Sequence, residues 1–203
     1  MQISYVLLVF LFIISLFNIG EKIYNKLNVN HFFVAGGLLL SLVCLSIPDI
    51  LLNNISFSVV GFIFPLFLTL KLLPKILNKN SFIKCLIGVL LCAFALLIYN
   101  LLNIKNLQFF LAYSLLLGCL LFILTKSTSL SFISLFLGLN VGEFILFKMQ
   151  GELDSALFFG GEQVFSMLLL SIIFCLIASV LQESFLQRKS VKQQKRINVL
   201  IEK

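Results

Sequence analysis

The chain has 203 residues, 61% of them hydrophobic and 11% charged, with a formal net charge of +7. A soluble domain is about half apolar and a quarter charged, so a water-covered globule is excluded and lipid must cover much of the surface. At about 20 apolar residues per crossing, the length accommodates seven short-looped transmembrane helices and no second soluble domain.

Transmembrane strands would alternate polar and apolar residues, and runs such as 5–17 and 168–178 do not alternate. The predicted fold class is therefore all-α, a polytopic transmembrane bundle. Its helices are expected at 3–19, 32–47, 55–73, 82–99, 107–124, 130–147 and 164–181. Residues 1–185 form the bundle and 186–203 a basic cytoplasmic tail. The bias toward Phe, Ile, Leu, Asn and Lys, with no Trp, points to an AT-rich bacterial coding sequence.

The first helix has no basic residue before it and no small-x-small site after it, so it reads as a retained helix and not as a signal peptide. His31, the sole histidine, borders the second helix without a ligand set around it. Ser41 and Ser46 can bond back to that helix. In the third helix Pro65 removes one backbone donor and leaves the Gly61 carbonyl without its usual partner. The resulting kink at Gly61 and Pro65 either borders a cavity or shapes packing.

The five cysteines are Cys44, Cys85, Cys92, Cys119 and Cys175. All lie in apolar runs, and their number is odd, so they read as soft packing residues and not as a disulfide framework. Cys85 and Cys92 share a helix face, but they lack His or carboxylate neighbours. No metal and no cofactor is assigned.

The sixth helix carries the densest pattern. Gly138 and Gly142 form a small-xxx-small pair that lets another helix of the same chain approach closely. Asn140 and Glu143 lie three apart, on one face. Glu143 is the only carboxylate placed inside a membrane helix. A charge at the bilayer centre costs about 2.5–3.5 kcal/mol or more, so it should face protein, water or a partner. Two readings are open. Glu143 is a proton carrier, cation ligand or substrate-binding group, or it sits one turn from the outer end and snorkels to water, with Lys148 near enough to pair.

The connection 149–163 mixes acidic residues with Leu157, Phe158 and Phe159 and ends in Gly160-Gly161-Glu162, where glycine permits unusual backbone angles. It is expected to be an interfacial loop anchored by its aromatics, with a re-entrant segment as the alternative. Residues 55–61 and 153–160 resemble each other: each is a semi-apolar segment leading through Gly into a helix. Helices one to three and five to seven would then be parallel repeats joined by the fourth. The candidate polar site is Glu143, Asn140, Gly160, Gly161 and Glu162.

With the N-terminus outside, thirteen of the fifteen basic residues fall on the cytoplasmic side, leaving only Lys105 and Lys148 outside. The tail, with Arg188, Lys189, Lys192, Lys195, Arg196 and Lys203, suits anionic lipid and needs no nucleic-acid partner. One histidine and two loop aspartates give no nucleophile–base set and no aspartyl protease pair, and no phosphate-binding Gly-Lys-Ser/Thr loop is present. No enzymatic activity is assigned.

Gly61 with Pro65, then Gly142-Glu143, then Gly160-Gly161 with Phe165, form a pattern similar to a family of uncharacterised bacterial and archaeal membrane proteins, a domain of unknown function. Val60 and Ser166 depart from that pattern, Ser166 standing where an aspartate is expected. The resemblance covers roughly 48–181 and implies a polytopic membrane fold with no known activity. Taken together, the sequence reads as a multi-pass protein of the cytoplasmic membrane, a scaffold or accessory subunit in contact with other membrane proteins. A small ion or solute carrier using Glu143 and a lipid-modifying enzyme are the alternatives.

Overall fold

The computed structural model describes residues 3–17, 30–44, 49–52, 55–76, 78–102, 106–150 and 157–201. Among these residues seven α-helices run in chain order: α1 (Ile3–Leu16), α2 (His31–Cys44), α3 (Phe64–Leu72), α4 (Lys79–Leu102), α5 (Leu107–Thr125), α6 (Thr128–Gln150) and α7 (Glu162–Ile201). Three short strands, β1 (Ile50–Leu52), β2 (Ile55–Phe57) and β3 (Leu157–Phe159), lie between them. The helices α4, α5 and α6 and the first half of α7 are long and apolar enough to cross a membrane, whereas α1, α2 and α3 are shorter apolar helices.

Helix α6 is the most enclosed of the four. It packs along α4 in parallel, and glycines set the separation. A Cβ on Gly138 would lie 2.5 Å from Cys92 Cβ and 2.6 Å from the Val89 carbonyl oxygen, and one on Gly88 would lie 2.7 Å from Ser134 Oγ. The pair Gly138 and Gly142 therefore serves a contact within the chain. Helices α5 and α7 are matched in the same way. Gly118 sits against the Ser171 backbone, Ser171 Oγ donates to the Ser114 carbonyl at 3.0 Å, and Cys175 Sγ donates to the Gly118 carbonyl at 3.0 Å. Lipid tails are as apolar as leucine, so helices in a bilayer associate through such close approaches and interhelical hydrogen bonds.

Local chemistry marks the helix ends. Asn106 is extended and accepts the Gln108 N–H at 2.9 Å, a side-chain cap on α5. At the far end Lys126 takes the left-handed conformation at φ 53°, and its N–H reaches the Phe122 carbonyl at 2.8 Å. Thr125 Oγ1 and Ser131 Oγ then lie 2.8 Å apart and tie the end of α5 to the start of α6. Ser41 Oγ bonds back to the Gly37 carbonyl at 2.8 Å, and Ser15 Oγ joins α1 to α2 through the His31 carbonyl at 3.1 Å. Ser46 lies outside the described residues.

The purely helical expectation needs correcting at one end of the bundle. Residues 55–57 are not the first turn of a helix but strand β2, antiparallel to β1 with Ile50 opposite Phe57 and parallel to β3 with Ile55 opposite Leu157 and Phe57 opposite Phe159. A π-helical turn (Val59–Ile63) follows before α3 begins. Pro65 is the reason. It lies in the first turn of α3, where a missing N–H is tolerated, and the π-helical turn runs into that helix without a break, Ile63 itself being helical at φ −67° and ψ −46°. The expected loop 149–163 is likewise partly ordered: α6 runs to Gln150 and 157–159 form β3, while 151–156 lie outside the described residues.

The two similar segments thus sit side by side, each a strand passing through glycine into a helix. The likeness stops there. Helix α5 packs along α7, whereas α1 packs on α2 and α7. At the C-terminal end, α7 is unbroken from Glu162 to Ile201, so the secondary structure shows no boundary at 185.

Candidate functional site

The sheet end of the bundle gathers the polar candidates around one carboxylate. Glu143 sits about two turns before the end of α6, at Gln150. Its Oε2 accepts the Gly160 N–H at 2.9 Å and its Oε1 accepts the Gly161 N–H at 3.3 Å. The side chain is turned onto the protein backbone and does not run outward to water. Lys148 does not pair with it: its Nζ lies 5.9 Å and 6.0 Å from the ring centroids of Phe144 and Phe147.

Two successive amides can converge on one carboxylate because of how β3 passes into α7. Gly160 has φ +73°, a left-handed conformation that L side chains rarely adopt. It turns the chain between Phe159 and Glu162, the first residue of α7, and leaves the N–H groups of 160 and 161 pointing the same way. The adjacent helix N-terminus adds a partial positive charge that favours an anion there. Glu162 itself is exposed, on the outside of this turn.

The other side of the turn is closed by backbone. A Cβ on Gly160 would lie 2.5 Å from the Gly61 carbonyl carbon and 2.7 Å from the Phe62 nitrogen, and a Cβ on Gly61 would collide with the Gly160 carbonyl oxygen. Both glycines are required for the two backbone segments to touch. Ser58 locks the contact twice. Its N–H donates to the Phe159 carbonyl at 3.0 Å, and its Oγ accepts the Gly61 N–H at 3.1 Å. Rings of Phe57, Phe62, Phe159 and Phe136 cover this junction with centroid separations of 5.0–5.6 Å. Pro65 is buried one turn further along, where its carbonyl accepts Thr69 Oγ1 at 2.8 Å.

Asn140 lies on the same side of α6 as Glu143, one turn deeper, and is 8% exposed. Its Nδ2 donates to the Phe136 carbonyl at 2.6 Å, and its Oδ1 is buried without a hydrogen-bond partner.

Sequence reasoning passes over a second set of polar residues. Ser114, Ser131, Ser134 and Ser171 are fully buried, and Ser134 Oγ reaches the Cys85 carbonyl at 3.3 Å. The interior is richer in hydroxyls than the count of charged residues suggests. Their signal is spacing: Ser114 and Gly118, Ser171 and Cys175, and Ser134, Gly138 and Gly142 all recur at four. These groups hold helices together and do not converge on a point. Cys85, Cys92 and Cys175 are buried and free, Cys119 is free and half-buried, and no group of three or more metal-ligating side chains occurs among the described residues.

Gly61, Glu143, Gly160 and Gly161 therefore meet in one place, whereas Gly142 lies against Ala93 and Leu96 of α4. No family model matches the chain, and no curated protein and no solved structure matches it.

Proposed function

We propose that the chain is a multi-pass protein of the bacterial cytoplasmic membrane, crossing it seven times, and that it works as a scaffold or accessory subunit of a membrane process. The observation behind this reading is the use made of Glu143. Both oxygens of the carboxylate are engaged by backbone amides that pin the start of α7 to the end of α6. The helices below it are joined through glycine, serine and cysteine contacts that bring backbones together. Such an arrangement holds a shape. Partners are other membrane proteins that pack on its apolar helix faces, with anionic lipid at the basic tail.

Membranes solubilised in mild detergent and separated by native electrophoresis should place the protein in an assembly well above its 22.9 kDa mass. Glu143→Gln should weaken that assembly. A solitary protein in the native membrane, combined with Glu143-dependent ion or solute uptake into vesicles holding the purified chain, would replace this reading with a carrier. Release of a lipid product by the purified chain would replace it with an enzyme.

The orientation proposed is N-terminus outside and C-terminus in the cytoplasm. Lys71, Lys79, Lys84 and Lys126 support it. They cluster at the end of the bundle opposite the sheet, where α3 ends, α4 begins and α5 turns into α6. A reporter active only in the cytoplasm should work when fused after Lys203 and fail when inserted between Gly151 and Ser155. The reverse pattern would invert the topology.

A further inference from the structure

Oxygen acceptors outnumber donors on one face of α6. Asn140 Oδ1 is buried and unpaired while its amide nitrogen is held 2.6 Å from the Phe136 carbonyl. That short contact fixes the orientation of the amide, since a flipped group would set oxygen against oxygen. Glu143, three residues on, adds a carboxylate. Each of its oxygens accepts one N–H and keeps a lone pair free. Among the described residues it has no cationic neighbour, because Lys148 lies over Phe144 and Phe147.

The same face meets the π-helical turn. Phe136 and Asn140 are four apart and share a face, and the Phe136 ring packs 5.6 Å from Phe62 of that turn. Within the turn the N–H of residue 65 would serve Val60 in π register or Gly61 in α register. Residue 65 is proline and has none. One carbonyl oxygen of this turn therefore lacks its usual backbone donor.

We propose that Asn140 Oδ1 and the Glu143 carboxylate hold one monovalent alkali cation beneath the Gly160–Gly161 turn. A single ion satisfies the amide oxygen and cancels the carboxylate charge, which an apolar interior otherwise penalises. Both residues lie on one face of α6, with Asn140 one turn deeper than Glu143. The ligands are hard oxygens, which excludes soft metals. One carboxylate is too little charge for calcium, and magnesium would demand a near-octahedral shell. The site does not depend on the scaffold reading, since a bound ion would stiffen the sheet end of a scaffold and of a carrier alike.

Thermal unfolding of the purified full-length chain tests this directly. The protein would be heated in sodium, potassium or choline chloride at one pH and one ionic strength. A thiol-reactive dye would report exposure of the buried cysteines. One alkali cation should raise the midpoint saturably over choline. Asn140→Leu should weaken its apparent affinity at least tenfold, and Glu143→Gln should abolish the response. Asn140→Asp keeps an oxygen at the site and should retain the response, which covers the case in which the leucine variant does not fold. Equal midpoints in the three salts would overturn the proposal. So would an undiminished response in Asn140→Leu, a lost response in folded Asn140→Asp, or a midpoint that follows pH but no cation.

Discussion

Gly160→Ala should unfold the sheet end of the protein, and it should do so far more severely than the same change one residue later. At 160 the new methyl group faces two penalties. The backbone sits at φ +73°, where an L residue costs about 1–2 kcal/mol. The Cβ would also lie 2.5 Å from the Gly61 carbonyl carbon, which is backbone and cannot rotate away. Overpacking of this kind costs about 1–3 kcal/mol. Separating the two segments would lengthen the 3.0 Å bond between Ser58 N–H and the Phe159 carbonyl and pull the Gly160 amide from Glu143. A loss of about 2–5 kcal/mol is expected from the sum. At 161 the nearest atoms to a new Cβ are the Phe158 ring at 3.3 Å and Glu143 Oε1 at 3.4 Å, both side-chain atoms with room to give. Gly36 has nothing within 4 Å and provides the control. Thermal unfolding of the three alanine variants, followed through thiol exposure, should rank 160 far below 161, with 36 unchanged. Equal midpoints for 160 and 161 would mean that the backbone contact with Gly61 carries no weight.

The parts legible in the sequence are those that lipid dictates. An apolar run of about 20 residues has one use in a membrane, so α4 to α7 can be read from composition. Their ends are less legible. Helix α4 starts at Lys79 and passes through Asn80 and Ser81 before its apolar stretch, and α6 starts at Thr128. Polar first turns belong to the helix but carry no hydrophobic signal. The sheet could not be read at all. Its strands are three residues long, too short for alternation to register, and the pairing of Phe57 with Phe159 joins positions that only the folded bundle brings together. Glu143 stands between these cases. A lone carboxylate in an apolar helix calls for donors, and Gly160-Gly161 offers unencumbered amides, so the kind of partner follows from the residues. The nearness of that turn to Gly61 is also expected, because helices three and seven both start where helix six ends, but the parallel strands that pin it are not. The buried serines were hidden for another reason. A helical serine can bond to its own preceding turn, as Ser114 Oγ does to the Phe110 carbonyl at 2.9 Å, so nothing in its local sequence tells whether it faces lipid, water or another helix.

Glu143→Gln should release the turn that begins α7 while leaving the chain inserted. A carboxylate accepts at both oxygens. A glutamine offers one oxygen and one NH2 group, and whichever way it settles, a donor faces either the Gly160 or the Gly161 N–H. One amide is left unpaired in a half-buried site, at a cost of about 1–3 kcal/mol, and the charge assistance to the other is lost. The helices α4 to α7 keep their glycine and serine contacts, none of which involves Glu143. The effect should therefore be local. Amide exchange at Gly160 and Gly161 should quicken by about 10–100-fold, because each 1.4 kcal/mol of lost protection is about tenfold in an opening equilibrium. Exchange in the middle of α5 and α6 should not change. Glu143→Asp keeps the charge but is shorter by one methylene, so it should mimic the glutamine variant if reach decides and the native protein if charge alone does. Hydrogen exchange read by mass spectrometry on peptides covering 157–165 and 128–140 separates these outcomes. An unchanged 157–165 peptide in Glu143→Gln would mean that the carboxylate does not hold the turn, and the clasp would lose its place in the proposed function.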